Sequence, residues 1–399
     1  MPRAILLALA FATLAAVPAQ AARHAPGRHV PFGFLGVMAD GALLDPARPL
    51  DDEFHRMAGS GVESVRFAAY WSSLQPYPNA AAVPTNERGR FTIVDGIPTD
   101  FSSTDRIVFA AARHGLRTLP VVFVCPPWAR NNPAKPFSPP ADPAAYGRFV
   151  GLLARRYGPR GAFWRHHPKL PRTPVHSWQI WNEPAGGATP FGPSIGWDDP
   201  TPFPRRYVSM LREARRQIKA VDPHGRVVLA GLFGASWLAL RVIYRAHARG
   251  LFDAVAANVF TRNVGDVLYV VQRNRAVMNQ YGDHRLPIYL TELSWPSSLG
   301  MIAPPNARDY EVTQDGQAQR VTDSLATLAA HRKKLGIGGL YWYSWVSSDA
   351  GDSDPFNYVG LRSYGPGGYA AKPAQAAYTA AALKLEGCRK LSSARRCAR

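Results

Sequence analysis

Two acids in this sequence stand where chemistry could be done. Glu183 follows an apolar, aromatic run in SWQIWNEP, and Glu292 follows another in LPIYLTELSW. A pair of carboxylates can divide the work of breaking an acetal. One gives a proton to the leaving oxygen while the other attacks or stabilises the carbon, and in the retaining version the two stand about 5 to 5.5 Å apart. Such a pair needs two different pKa values. The donor is raised by burial and by its neighbour's charge, and the nucleophile is held ionised by a cation. Taken singly, either acid is more simply a helix-capping or salt-bridged carboxylate.

Something must bring two residues so distant in sequence to one place. Apolar, β-rich stretches recur as FGFLGV (32–37), VESVRF (62–67), RTLPVVFV (117–124), SWQIWN (177–182), RVVLAG (226–231), FDAVAANV (252–259), LPIYLT (286–291) and GGLYWYSW (338–345). Helical patterns separate them. YVSMLREARRQIKAVDP carries Val208, Leu211, Ala214 and Ile218 on one face. Eight strands alternating with helices predict an α/β fold, a (β/α)₈ TIM barrel in a single domain. Connections from helix to strand are short, as in AGSGVES and VDPHGRV, whereas those from strand to helix are long, as in NEPAGGATPFGPSIGWDDPTPFP. Long loops leaving one end of a barrel build its active face. Glu183 at the end of the fourth strand and Glu292 at the end of the seventh would share that rim. Trp71, Trp128, Trp295 and Trp345 also fall at or beyond strand ends, where ring faces could stack on sugars, while Trp178 and Trp342 sit further back and read as core.

WNEP after the fourth strand with TELSW at the seventh resembles clan A glycoside hydrolases, the retaining (β/α)₈ enzymes that include families 5 and 39. The likeness runs from GFLGV through SVRFAAYWSSLQP, LPVVFVCPPWA, VDPHGRVVLAGL and FDAVAANVF to YWYSWVSSD. It implies Glu183 as general acid and base, Glu292 as nucleophile, Asn182 as donor to the hydroxyl beside the reacting carbon, and Arg66 beneath the nucleophile. It also implies Trp345 as the strand-eight sugar platform, and it needs no metal or organic cofactor. One departure stands out. Where the clan often has a His-Pro-Tyr-like group on strand six, this chain reads Asn258-Val259-Phe260. Asn258 then takes a substrate-contacting place, and a hydroxyl near Glu292 is lost.

The ends of the chain add the compartment. MPRAILLALAFATLAAVPAQA has an early cation, an apolar run and a small-x-small ending, so residues 1–21 read as a signal peptide cleaved near Ala21. The run is too short and proline-broken for a membrane anchor, which leaves an exported chain with no integral span. Residues 22–386 form the catalytic domain and 387–399 a basic tail in which Cys388 and Cys397 could pair. Cys125, in VVFVCPP, reads as a buried thiol, and His166-His167 as a solvated pair. The formal net charge is +19, spread along the chain without a nucleic-acid recognition motif. Electrostatic association with an anionic cell-wall polymer fits it better than nucleic acid. The expected activity is a secreted retaining O-glycosyl hydrolase on a polysaccharide or oligosaccharide. A transglycosylase, or a carbohydrate-binding barrel with impaired catalysis, remain alternatives.

Overall fold

The eight β-rich stretches close into one parallel barrel. The computed structural model describes residues 27–184, 197, 203–304 and 306–388. In chain order the barrel strands are β1 (Leu35–Ala39), β2 (Ser64–Tyr70), β3 (Arg117–Phe123), β4 (Ser177–Ile180), β5 (Arg226–Phe233), β6 (Ala254–Asn258), β7 (Ile288–Leu293) and β8 (Ile337–Trp342). Each pairs in parallel with its sequence neighbours, and β1 pairs with β8 to complete the ring. The expected (β/α)₈ barrel is therefore present. Several strands start or end one to three residues away from the sequence reading, and Glu183 lies beyond β4 rather than at its last residue.

Helices alternate with the strands: α1 (Asp51–Gly59), α2 (Ser102–Arg113), α3 (Pro143–Tyr157), α4 (Phe203–Val221), α5 (Ser236–Arg245), α6 (Val264–Gln280), α7 (Gln314–Leu335) and α8 (Pro373–Leu385). Their starts follow ordinary capping rules. Asp142 accepts from the amides of Ala144 and Ala145 ahead of α3, with Pro143 first in the helix. Gly336 ends α7 in the left-handed region at φ 66°. On α4, Val208, Leu211, Ala214 and Ile218 are buried as their spacing requires. Tyr207 fastens that helix to the barrel, since its hydroxyl donates to Ile180 O at 2.9 Å and accepts from Ala230 N at 2.7 Å.

Two small sheets escaped the sequence reading. One is the hairpin Thr92–Val94 with Ile97–Thr99 in the loop after β2. The other joins Val346–Ser347, Arg362–Gly365 and Gly368–Ala371 after β8. Both are short and lie in loops whose composition reads as turn. Among the described residues no helix is long and apolar enough to cross a membrane. Cys125 is buried and free, and Cys388 is disulfide-bonded. The expected leader, Cys397 and most of the basic tail lie outside the described residues.

Candidate active site

Strand alternation decides which side chains enter the barrel. On β2, Ser64, Arg66 and Tyr70 share a face, as do Met38 on β1 and Asp40 just beyond that strand. Arg66 fixes that face as the interior, because it crosses the lumen. Its Nη1 donates to Glu292 Oε1 at 2.7 Å and approaches Met38 Sδ at 3.3 Å. Its Nε donates to Gln179 Oε1 at 2.8 Å and its Nη2 to Asn182 Oδ1 at 3.0 Å. One guanidinium thus ties together β1, β2, β4 and β7.

Strict alternation would not deliver Glu292. Tyr289 packs inside the barrel with Tyr341 and Leu119, so an unbroken strand would turn Glu292 outward. Between β6 and β7 the register slips, with Ala257 opposite Leu290 but Asn258 opposite Glu292. The extra residue is Thr291, whose hydroxyl donates to Asn258 Oδ1 at 2.8 Å. A bulge of this kind re-aims the next side chain, and here it turns Glu292 inward onto Arg66.

Glu183 is aimed by a different device. Beyond β4 the backbone enters the left-handed region at Trp181 (φ 70°) and again at Glu183 (φ 43°). Non-glycine residues there cost on the order of 1–3 kcal/mol each. Hydrogen bonds from Trp181 N to Val122 O and from Glu183 N to Gly231 O, both 3.0 Å, hold the turn. The Trp181 ring is fully buried and packs edge-on to Tyr146 and Trp197.

Asn258 joins the two acids, because its side chain hydrogen-bonds Glu292 as well as Glu183 and lowers both carboxyls. Its Nδ2 donates to Glu183 Oε1 at 2.9 Å and to Asn182 Oδ1 at 3.2 Å. A glycine is required opposite, because a Cβ on Gly231 would lie 2.3 Å from Asn258 Oδ1. Asn182, Glu183 and Glu292 are all buried, with 7–8 % of their surface exposed. Burial raises the Glu183 carboxyl to about 7, with the charge of Glu292 adding to the rise, and the Asn258 amide and Arg66 opposing it. Burial also raises Glu292, against which the adjacent Arg66 pulls down by charge and hydrogen bond. Of the two, Glu292 has the guanidinium in contact, so a shared proton sits on Glu183.

The tryptophans need correcting. Trp71, Trp295 and Trp345 were expected to present ring faces at the rim, but they are 1 %, 0 % and 0 % exposed and have no face to offer. Trp71 stacks on Phe149 with centroids 5.2 Å apart, Trp295 packs on Trp342, and Trp345 Nε1 donates to Glu53 Oε2 of α1 at 2.7 Å. A large ring just past a strand end is as well placed to seal the strand against its helix as to face the lumen. Of the four, Trp128 keeps partial exposure, and its Nε1 donates to Gln75 O at 3.0 Å.

Other aromatics hold the rim. Tyr343 lies two residues beyond Tyr341 on the inner face, half-buried, with Phe260 and Phe356 edge-on to it. Across from them, Tyr70 packs on Phe123 at 5.2 Å. Sequence reasoning also missed Asp40, a third acid. It accepts from Gly41 N at 2.9 Å and from the Tyr343 hydroxyl at 3.2 Å, and burial raises its pKa. The signal was available: counting by twos from Met38 and Tyr341 reaches Asp40 and Tyr343.

No family model matches the sequence, and no curated protein sequence is similar to it. Solved structures are similar in fold. A glucosidase from Croceicoccus marinus matches with a TM-score of 0.61 at 16 % identity, over 91 % of this chain and 69 % of that one. A family 39 glycoside hydrolase from Bacteroides cellulosilyticus WH2 matches at 0.60 and 16 %, over 89 % and 64 %. The GH53 catalytic domain of Ignisphaera aggregans matches at 0.55 and 18 %, over 90 % and 98 %. The chain spans about two thirds of the length of the first two and nearly all of the third. The (β/α)₈ barrel that carries the paired acids is thus one on which these glycosidases are also built.

Proposed function

We propose that this chain is a secreted retaining O-glycosyl hydrolase acting on a polysaccharide or oligosaccharide. The observation that carries the reading is the unequal treatment of two buried acids on one rim: Glu292 is ion-paired to Arg66 at 2.7 Å, and Glu183 is raised to about 7. Glu292 attacks the anomeric carbon while Glu183 gives its proton to the departing glycosidic oxygen. The bond to the leaving sugar breaks as the ester to Glu292 forms. Glu183, now ionised, takes a proton from water, and the resulting hydroxide displaces Glu292 and restores both acids. Asn182 Oδ1 accepts from Arg66 and Asn258, which leaves its own N–H groups to donate to the neighbouring sugar hydroxyl. Tyr343, Phe260, Tyr70 and Trp128 supply ring surface for the substrate. The solved glycosidases that share the fold support this reading, and the leader-like first 21 residues support export.

Proton NMR of the first product tests the reading. Retained anomeric configuration is expected, together with a fluorinated glycoside trapped on Glu292 in the peptide map. Inverted product, or label on another acid, would sink the mechanism.

A further inference from the structure

The connection from α3 to β4, residues 158–176, is much longer than others of its kind such as 60–63 or 222–225. It contains Arg160, Arg165, Lys169 and Arg172 together with His166, His167 and His176, and no Asp or Glu. The four cations are all exposed. Arg160, Arg165 and Arg172 donate to backbone carbonyls of Val221, Arg160 and Pro159 and form no ion pair among the described residues. A helix-to-strand connection lies at the N-terminal end of the barrel, opposite the rim that holds Glu183 and Glu292. The same connection borders a groove of about 470 Å³ that runs along the outer face of α2. Arg106, Phe109 and Arg113 line it from the helix and Phe163 and His167 from the connection, and two acids line it as well, Asp51 paired to Arg113 at 3.5 Å and Asp105 paired to Arg156. Phe109 is 37 % exposed, with its ring 5.4 Å from His167. Arg106 donates to the carbonyls of Leu43 and Arg48 and has no carboxylate partner among the described residues. A twelve-residue helix makes this lining about 16–18 Å long, enough for a chain rather than a single small ion.

We propose that the 158–176 connection and the adjoining groove along α2 form a docking surface for an anionic polysaccharide, separate from the catalytic rim. The exposed cations of the connection, with Arg106, supply the attraction, Phe109 offers an apolar face to a sugar ring, and placement away from the rim leaves the active site free while the enzyme is held on its polymer. The preference for a polysaccharide over another polyanion rests on the glycosidase reading.

The test uses polygalacturonate as probe, with neutral dextran, a DNA duplex and phosphatidylglycerol vesicles beside it. Wild type is compared with an R160Q/R165Q/K169Q/R172Q variant and with Phe109→Ala. Polygalacturonate should bind and dextran should not, with affinity falling about tenfold or more between roughly 50 and 200 mM salt. The fourfold variant should lose about as much, Phe109→Ala should weaken polygalacturonate but not DNA, and turnover of a small aryl glycoside should be unchanged in both. Unaltered polymer affinity in the fourfold variant overturns the proposal. So does tighter binding to DNA or vesicles that the same substitutions abolish, which would assign the surface to that class instead. Polymer binding through this surface in a wild type that cleaves no glycoside would uphold the docking surface and reject the glycosidase reading.

Discussion

At the scale of single residues, the proposed mechanism depends on Glu183 and Glu292 carrying one proton between them. Replacing either with Gln keeps side-chain volume and removes that arrangement. Each variant should lose about 10²- to 10⁴-fold in kcat/KM with little change in thermal midpoint. A folded variant with wild-type turnover would remove its residue from the mechanism. The pH dependence follows with a definite sign. Glu183 must be protonated to act as acid, and its carboxyl is raised to about 7, so kcat/KM should fall as pH rises through about 7. The groups acting on it are Glu292 from β7, which raises it, and Arg66 from β2 and the Asn258 amide from β6, which lower it. Asn258→Leu deletes a hydrogen bond that favours the ionised form of Glu183 and, with it, that of Glu292. The high-pH limb should therefore move upward by about one unit, the size of a hydrogen bond to a charged group. A limb that stays in place, or moves down, would show that the amide does not act on Glu183.

At the scale of elements, the eight strands and their order were legible because a buried parallel strand is a short β-branched run bounded by glycine or proline. The two acids were legible because each follows such a run. What stayed hidden was the direction of side chains near strand ends. The bulge at Thr291 reverses parity within one residue, and nothing in the composition of LPIYLTEL marks it. For the same reason Trp345 looked like a platform although Tyr343 holds the inner face. The two residues can be separated experimentally. Tyr343→Ala should raise KM several-fold, since it removes ring surface at the rim, and should also cost about 1 kcal/mol of stability because buried Asp40 loses a donor. Trp345→Phe should leave KM unchanged but lower stability by about 1 kcal/mol, because Glu53 loses a donor and a sealed ring shrinks. The opposite pattern in KM would restore Trp345 to the substrate.

At the scale of the whole molecule, the last helix packs back on the segments that lead into the first two strands. His29 N donates to Leu385 O at 2.9 Å, and Gly61 has no room for a Cβ because that atom would lie 2.7 Å from Ala382 Cβ. Glu386 follows α8 into this seam with 1 % of its surface exposed, and its Oε1 has no hydrogen-bond partner among the described residues. Burial, helped by the charge of Glu63 and opposed by Arg28, raises its carboxyl to about 8. The folded chain therefore keeps a proton that the unfolded chain releases at an ordinary carboxyl pKa near 4.5. Stability from this group is fully present below about 4.5 and declines as pH rises to about 8. The total is on the order of a few kcal/mol, at no more than about 1.4 kcal/mol per pH unit. Glu386→Gln carries the neutral form at every pH. Urea unfolding of both proteins between about pH 5 and 8.5 should show the variant gaining on wild type as pH rises, with the difference levelling off above about 8. Curves that stay parallel would mean that Arg28 holds Glu386 ionised in the fold, and the seam would then be an ion pair rather than a protonated acid.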